Sequence, residues 1–369
     1  MQFSAGMEKP SEAPKPRAVE AEGERLVVVR ESPFNAETPA DALVEPISRP
    51  HFVRSHFDLP PIDATDAGEH RLRVGGAVAR PLVLSLAELR ATAWHETVVT
   101  LECAGNGRTH MRPLPAGEPW MDGAVGTARW GGVPLRYVLE RAMLSSSAVE
   151  ILAVGADHGM PHGDGAPRDI PFARSLPLGK ALDEDTLLAL EMNGAPLPLH
   201  HGAPLRLIVP RWFGVASVKW LERIDAITEP FDGWFQEARY VYSYTDDQPT
   251  QPVRELRCKS MIVSPSDGAQ VARGRVEIRG WAWSGSAELA SVEVSVDASD
   301  RWQLATLDPP LSPNAWRGFR CTWEAQTRGR HTLRARATDA AGNRQPDWPR
   351  NNRFGYGNNS IRPVVVDVR

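Results

Sequence analysis

The cysteine at position 103 carries the most chemical promise in the chain. It stands in Leu101-Glu102-Cys103-Ala104-Gly105-Asn106-Gly107-Arg108, directly after a β-type apolar run. A thiol that leaves a buried strand into a Gly-rich turn is held rigidly, while its loop passes close to a ligand. Three chemistries are open to such a residue. It is a small buried hydrophobe, a nucleophile served by a His base, or a thiolate bound to a soft or high-valent metal. His110 follows seven residues later. Sequence alone does not place it against the sulfur.

Nine of the ten histidines lie between His51 and His201, so polar chemistry is concentrated in the front half. The basic residues are 37 Arg and 5 Lys, a bias that weakens the claim of any single arginine to function. Net charge is −4, which excludes a generic nucleic-acid binder. Three cysteines, none in a CxxC, exclude a disulfide framework, a zinc ribbon and a covalent c-type haem. No apolar run approaches the roughly 18 residues of a membrane span, so none is expected. His158 and His162 match no zinc spacing and read as a polar loop.

The elements that must position these residues fall into two parts. The 369 residues suggest two or three domains. Residues 1–45 read as a partly ordered arm, with 26–29 as an anchoring strand. Residues 46–250 read as an α+β domain with long Gly-, Pro- and His-rich connections. Its β-type runs are 97–103, 151–154, 205–209 and 218–227; its helical patterns are 84–91, 135–144 and 172–181. Residues 246–258 read as a linker. The segment 251–369 then shows about seven β-type runs separated by turn signals, the pattern of an all-β immunoglobulin-like sandwich. Cys258 and Cys321 read as structural residues.

The Cys103 motif resembles the molybdenum-binding loop of the sulfite oxidase family of molybdopterin-dependent oxidoreductases. Four further segments agree in order and rough spacing. They are Phe52-Val53-Arg54-Ser55-His56; Trp120 with 126–133; Glu191-Met192-Asn193-Gly194 with Leu197-Pro198, His201-Gly202, Pro204 and Arg206; and Ser217-Val218-Lys219-Trp220-Leu221. The resemblance covers about nine-tenths of the chain, from residue 31 to the C-terminus, and implies the bacterial type without a haem domain. It implies a sulfite-oxidase-like molybdopterin-binding domain followed by an immunoglobulin-like dimerisation domain, and hence a homodimer.

It also implies roles. Cys103 is the thiolate ligand of molybdenum. Arg54, Arg108 and a tail arginine hold a small oxyanion, because a planar guanidinium binds two oxygens at once. Arg320 fits the tail position best, with Arg317 as its rival. Trp120 and Tyr240 complete the pocket, and Tyr240 resembles the family tyrosine that binds substrate and relays a proton. The cofactor falls to Arg54, His56, Cys103, Asp157, His201, Arg206, Ser217 and Lys219. Ser55, Gly107 and His200 depart from the family pattern.

The expected function is therefore oxidation of sulfite to sulfate by oxygen-atom transfer at a molybdenum–molybdopterin centre. Electrons would pass to a separate acceptor such as a cytochrome c. An alternative is the same cofactor acting on another sulfur compound or oxyanion. An alternative of another class is a cofactor-free binding protein using its immunoglobulin-like module. Residues 1–24 hold no apolar stretch, so a cytoplasmic location is expected, or a periplasmic one with the leader removed.

Overall fold

The computed structural model describes residues 17–21, 23–61, 68–163, 165–245, 248–297 and 301–369. The first 16 residues of the expected arm, and Asp246 and Asp247 of the expected linker, lie outside the described residues. No helix among those described is long and apolar enough to cross a membrane.

The arm forms a three-stranded sheet from Arg17–Ala21, Glu24–Arg30 and Asn35–Glu37. Leu26 and Ala36 pack on Val53, and Ala36 bridges to Val53 through paired backbone hydrogen bonds. This contact ties the arm to the segment that carries Arg54.

Two five-stranded sheets follow. In one, His95–Glu102 pairs antiparallel with Val125–Pro134, which pairs with Leu187–Met192; the latter also pairs with Arg206–Ile208. In the other, Leu221–Ile227 lies between Arg71–Gly76, its parallel neighbour, and Glu150–Gly159. The strand His95–Glu102 is buried on both faces from Thr97 onward, which explains its continuous apolar run.

Helices are shorter than the sequence spacing predicts. The longest α-helix is Leu135–Arg141, of seven residues. The expected helix over 84–91 is a strand, Leu82–Ser85, then a five-residue helix, Leu86–Arg90. That helix starts at a capping box, in which Ser85 Oγ accepts the Glu88 N–H and the Glu88 carboxylate accepts the Ser85 N–H. The expected helix over 172–181 is mainly the strand Ile170–Pro177, with only Leu178–Ala181 helical. Its Phe172–Leu176 stretch is buried throughout, so burial on both faces overrides the helical spacing.

The tail is a sandwich of a four-stranded and a five-stranded sheet. Cys258, Ile262, Ile278, Val292, Val294, Cys321, Leu333 and Val366 lie in its core. The stretch 302–307 divides at buried Ala305. Gln303–Leu304 joins one sheet and Thr306–Leu307 the other. The junction with the front half is continuous core. Trp316 is fully buried, stacks on Trp281 at 4.9 Å, and donates its indole N–H to Pro46 O at 2.9 Å.

Candidate active site

Cys103 is the first residue beyond the strand His95–Glu102. Its N–H donates to Ala124 O at 2.9 Å, and its carbonyl accepts the Asn106 N–H at 2.9 Å. The turn needs its glycines. Gly107 has φ +78°, a left-handed conformation that L side chains resist. At Gly105 a Cβ would lie 2.5 Å from the Arg108 guanidinium. Burial raises the Cys103 thiol above its ordinary value; Arg54, the Gly105 N–H and Arg108 oppose that shift. A buried thiol beside two guanidinia keeps its proton until a metal displaces it on binding the sulfur.

Two cavities meet at this sulfur, sharing Arg54, His56, Cys103 and Tyr240. The inner one is lined by all eight residues expected to hold the cofactor: Arg54, His56, Cys103, Asp157, His201, Arg206, Ser217 and Lys219. Lys219 Nζ donates to Ser55 Oγ at 2.7 Å and to His200 O at 2.9 Å. Arg206 donates to His201 O at 3.0 Å and lies over the Trp130 ring. Burial lowers the Arg206 guanidinium to about 9, which leaves it charged at neutral pH. The Ser217 hydroxyl accepts the Val209 N–H at 3.0 Å. Burial lifts the Asp157 carboxyl to about 6, against the pull of Lys219. His201 is held well below its ordinary value by burial, so its imidazole is neutral.

His51 also lines this cavity, and sequence reasoning missed it. Burial lowers it to about 4. Its signal was weak, a histidine one residue outside the Phe52-to-His56 motif.

Three buried polar atoms here have no hydrogen-bond partner among the described residues: Asp157 Oδ1, Arg206 Nε and His51 Nε2. Buried polar atoms are ordinarily hydrogen-bonded. A cavity with an acceptor, cationic donors and an orphaned ring nitrogen fits a polar heterocycle ending in phosphate. Among the described residues no group of three or more His, Cys, Asp or Glu could hold a metal ion. A metal at Cys103 would therefore take further donors from such a cofactor. The residues fit a molybdenum–pterin group.

The outer cavity, of about 490 Å³, brings together Arg54, Cys103, Arg108, Trp120 and Tyr240. Arg54 Nη1 donates to Asn35 Oδ1 at 3.1 Å, and the Ser55 N–H donates to the same oxygen at 2.8 Å, so the arm positions this arginine. Arg108 is buried; Nη1 donates to Glu118 O at 2.6 Å and Nε to Phe354 O at 3.2 Å. Trp120 is fully buried, and its indole N–H has no partner among the described residues. The Tyr240 hydroxyl and His56 Nε2 share a 2.6 Å hydrogen bond. Tyr240 sits at φ +56°, a strained backbone for a bulky residue, and stacks on Tyr356 at 4.9 Å.

Arg320 and Arg317 do not line either cavity, which corrects the expected tail position. Arg320 pairs with Asp308 on the sandwich surface, its side chain 54% exposed. In a strand, neighbours alternate between faces. Phe319 and Cys321 are buried in the core, so Arg320 must face outward. Arg317 Nε donates to Asp308 O. The tail arginine that lines the outer cavity is Arg353, beside Phe354 and Tyr356, with Arg239 from the front half. Arg353 was missed because it stands in an irregular stretch between the last two strands. Its only signal was the Gly- and aromatic-rich run Phe354-Gly355-Tyr356-Gly357.

Residues 56–235 match the family model of the oxidoreductase molybdopterin binding domain. Residues 250–368 match that of the Mo-co oxidoreductase dimerisation domain. The chain is 39% identical over 344 residues to a sulfite oxidase of Gallus gallus, covering 87% of this chain and 73% of the relative. It is 36% identical over 368 residues to a mitochondrial sulfite oxidase of Mus musculus, covering 93% of this chain and 66% of the relative. Its fold is similar to that of the sulfane dehydrogenase SoxCD from Paracoccus pantotrophus. That match has a TM-score of 0.79 and 26% identity, covering 100% of this chain and 96% of the other.

Proposed function

Since the chain belongs to the sulfite oxidase family of molybdopterin-dependent oxidoreductases, we propose that it oxidises sulfite to sulfate and passes two electrons to a separate acceptor. One observation carries this reading. A single thiol, several guanidinia and a tyrosine hydroxyl converge where a polar cavity with orphaned buried atoms meets an open one. When bound, the molybdenum–pterin group supplies the oxygen atom that sulfur accepts and takes up the two electrons.

The chain's own residues do the rest. Cys103 serves as the thiolate ligand. Arg206, Lys219, Ser217 and His201 hold the pterin and its phosphate, and Asp157 accepts from its amino groups. Arg54, Arg108 and Arg353 hold the dianion by charge-assisted hydrogen bonds and offset its charge. Tyr240, whose hydroxyl burial keeps protonated, donates to a substrate oxygen. The Trp120 N–H is a further donor. Trp234, Phe354 and Tyr356 form the apolar part of the outer cavity's wall.

A homodimer through the tail sandwich follows from the dimerisation-domain match. A one-electron protein such as a cytochrome c is the acceptor we favour. A second reading, another sulfur compound on the same centre, is supported by the outer cavity. Its volume of about 490 Å³ far exceeds the need of a small oxyanion, given about 30 Å³ per water molecule.

Metal analysis of the purified protein, with fluorescence detection of released pterin, tests the cofactor. Sulfite-dependent reduction of ferricyanide then tests the reaction. Molybdenum near one per chain with sulfite turnover is the expected result. Molybdenum without sulfite turnover favours the second reading. Neither metal nor pterin, from a host that loads such enzymes, favours a cofactor-free binding protein.

A further inference from the structure

Glu102 immediately precedes Cys103, yet its carboxylate faces the tail sandwich. It is buried, and three donors converge on it. Lys259 Nζ lies 2.7 Å from Oε1, Asn106 Nδ2 lies 3.0 Å from Oε1, and Trp283 Nε1 lies 2.9 Å from Oε2. Lys259 and Trp283 belong to the tail; Asn106 belongs to the Cys103 loop. The Glu102 and Lys259 side chains are 3% and 6% exposed.

Asn106 closes the network on the thiol-bearing residue. Its side-chain oxygen accepts the Ala124 N–H at 3.1 Å, and Ala124 O accepts the Cys103 N–H at 2.9 Å. Its own N–H donates to Cys103 O at 2.9 Å. Successive strand side chains point to opposite faces. A shift of Glu102 toward or away from the tail therefore carries the Cys103 backbone with it. The tail touches the loop elsewhere too. The Gly357 N–H donates to Ala104 O at 2.7 Å, and Asn358 Nδ2 donates to Gly107 O at 2.8 Å.

We propose that Lys259 is a positioning residue for Cys103: from the tail sandwich it clamps Glu102, and through Glu102 and Asn106 it sets where the sulfur meets the metal. The tail is then part of the metal site's scaffold as well as a dimerisation module. A buried ion pair is a weak source of stability but a specific geometric constraint. This inference rests on the reading of Cys103 as the thiolate ligand.

The test uses the full-length, cofactor-loaded protein. Glu102→Gln combined with Lys259→Met removes the clamp without stranding a buried charge. Trp283→Phe removes one donor from Glu102 and leaves the ion pair intact, and its cost in stability is read from the melting temperature. Melting temperature, molybdenum content, the EPR spectrum of the half-reduced metal, and kcat and KM for sulfite are measured. The double variant is expected to retain molybdenum, to show a shifted EPR spectrum, and to lose at least about tenfold in kcat, because a misplacement of about 1 Å can cost about 10²-fold. Trp283→Phe is expected to shift the spectrum in the same direction by less.

Wild-type spectra and kcat within twofold in both variants overturn the proposal, leaving Lys259 a charge-balancing residue. Cys103→Ser separates this failure from failure of the underlying reading. Wild-type protein without molybdenum, or a metal spectrum that Cys103→Ser leaves unchanged, overturns the thiolate assignment and the proposal with it.

Discussion

The Tyr240 hydroxyl and His56 Nε2 lie 2.6 Å apart, although 184 positions separate them in the chain. Burial holds His56 well below its ordinary value, with Arg54, Lys219 and Arg174 adding to the shift. Burial also raises the Tyr240 hydroxyl. At neutral pH the pair is a neutral imidazole bonded to an intact phenol; with its proton on Nε2, His56 donates to the Tyr240 oxygen, and the phenol hydrogen is free to point into the cavity.

Tyr240→Phe removes that donor and keeps the ring stacked on Tyr356. A loss of about 10²-fold in kcat is expected, the usual contribution of a positioned proton donor. Steady-state sulfite oxidation measures it. Unchanged kcat would remove Tyr240 from the reaction.

The two tail arginines should separate cleanly. Arg353→Ala removes a cation that lines the outer cavity. A charge-assisted hydrogen bond contributes about 1.5–3 kcal/mol, so kcat/KM for sulfite should fall about 10- to 100-fold. Arg320→Ala breaks a solvent-exposed pair, worth about 1 kcal/mol or less, and should leave kcat/KM within twofold. The reverse ranking would restore Arg320 to the site.

Gly105→Ala tests the seat of Arg108. The new Cβ would lie 2.5 Å from Nη2, and Gly117 closes the other side, where a Cβ would meet the guanidinium at 3.0 Å. The guanidinium must leave its position. A rise of about tenfold in KM for sulfite is expected, with molybdenum content unchanged, since misplaced binding groups lose productive geometry. Metal analysis beside the kinetics checks both halves of this expectation.

Glu37 should make stability depend on pH. Its carboxyl is buried, and burial raises it from 4.5 to about 7, although the Met121 N–H donates to it at 2.6 Å. Between those pH values the folded protein keeps a proton that the unfolded chain has released. Stability therefore falls as pH rises from 4.5 to 7 and levels off above. Glu37→Gln abolishes that loss. It should stabilise the protein at pH 8 by up to about 3 kcal/mol, from about 1.4 kcal/mol per pH unit, and leave it unchanged near pH 4.5. Urea unfolding at the two pH values shows the difference; equal shifts at both would exclude Glu37 as the cause.

Much of the fold and of the site is legible in the order of the residues. The Cys103 loop can be read because its constraints are local. Gly105 and Gly107 are demanded by contacts and backbone angles within a few residues of the sulfur. Most of the residues that hold the inner cavity stand in short contiguous segments and announce themselves, whereas His51 lies just outside one and does not. The sandwich strands are legible from alternation and turns, but the resemblance that nominated Arg320 for the site overrode the alternation that turns it outward between two core residues. The strand Ile170–Pro177 is not, because burial on both faces erases the alternation that distinguishes strand from helix.

The sequence by itself determined the chemical inventory: one thiol in a glycine turn, histidines concentrated in the front half, arginines spread along the chain, and a β-rich tail. It did so because backbone conformation and face alternation are short-range properties. Tertiary structure alone decided which distant groups share a cavity. It brought Arg353 and Tyr356 from an irregular tail segment to the entrance and set the arm's Asn35 against Arg54. It also turned Lys259 onto Glu102, 157 positions away. Such pairings depend on how sheets pack and where loops cross between domains, and no local spacing records that.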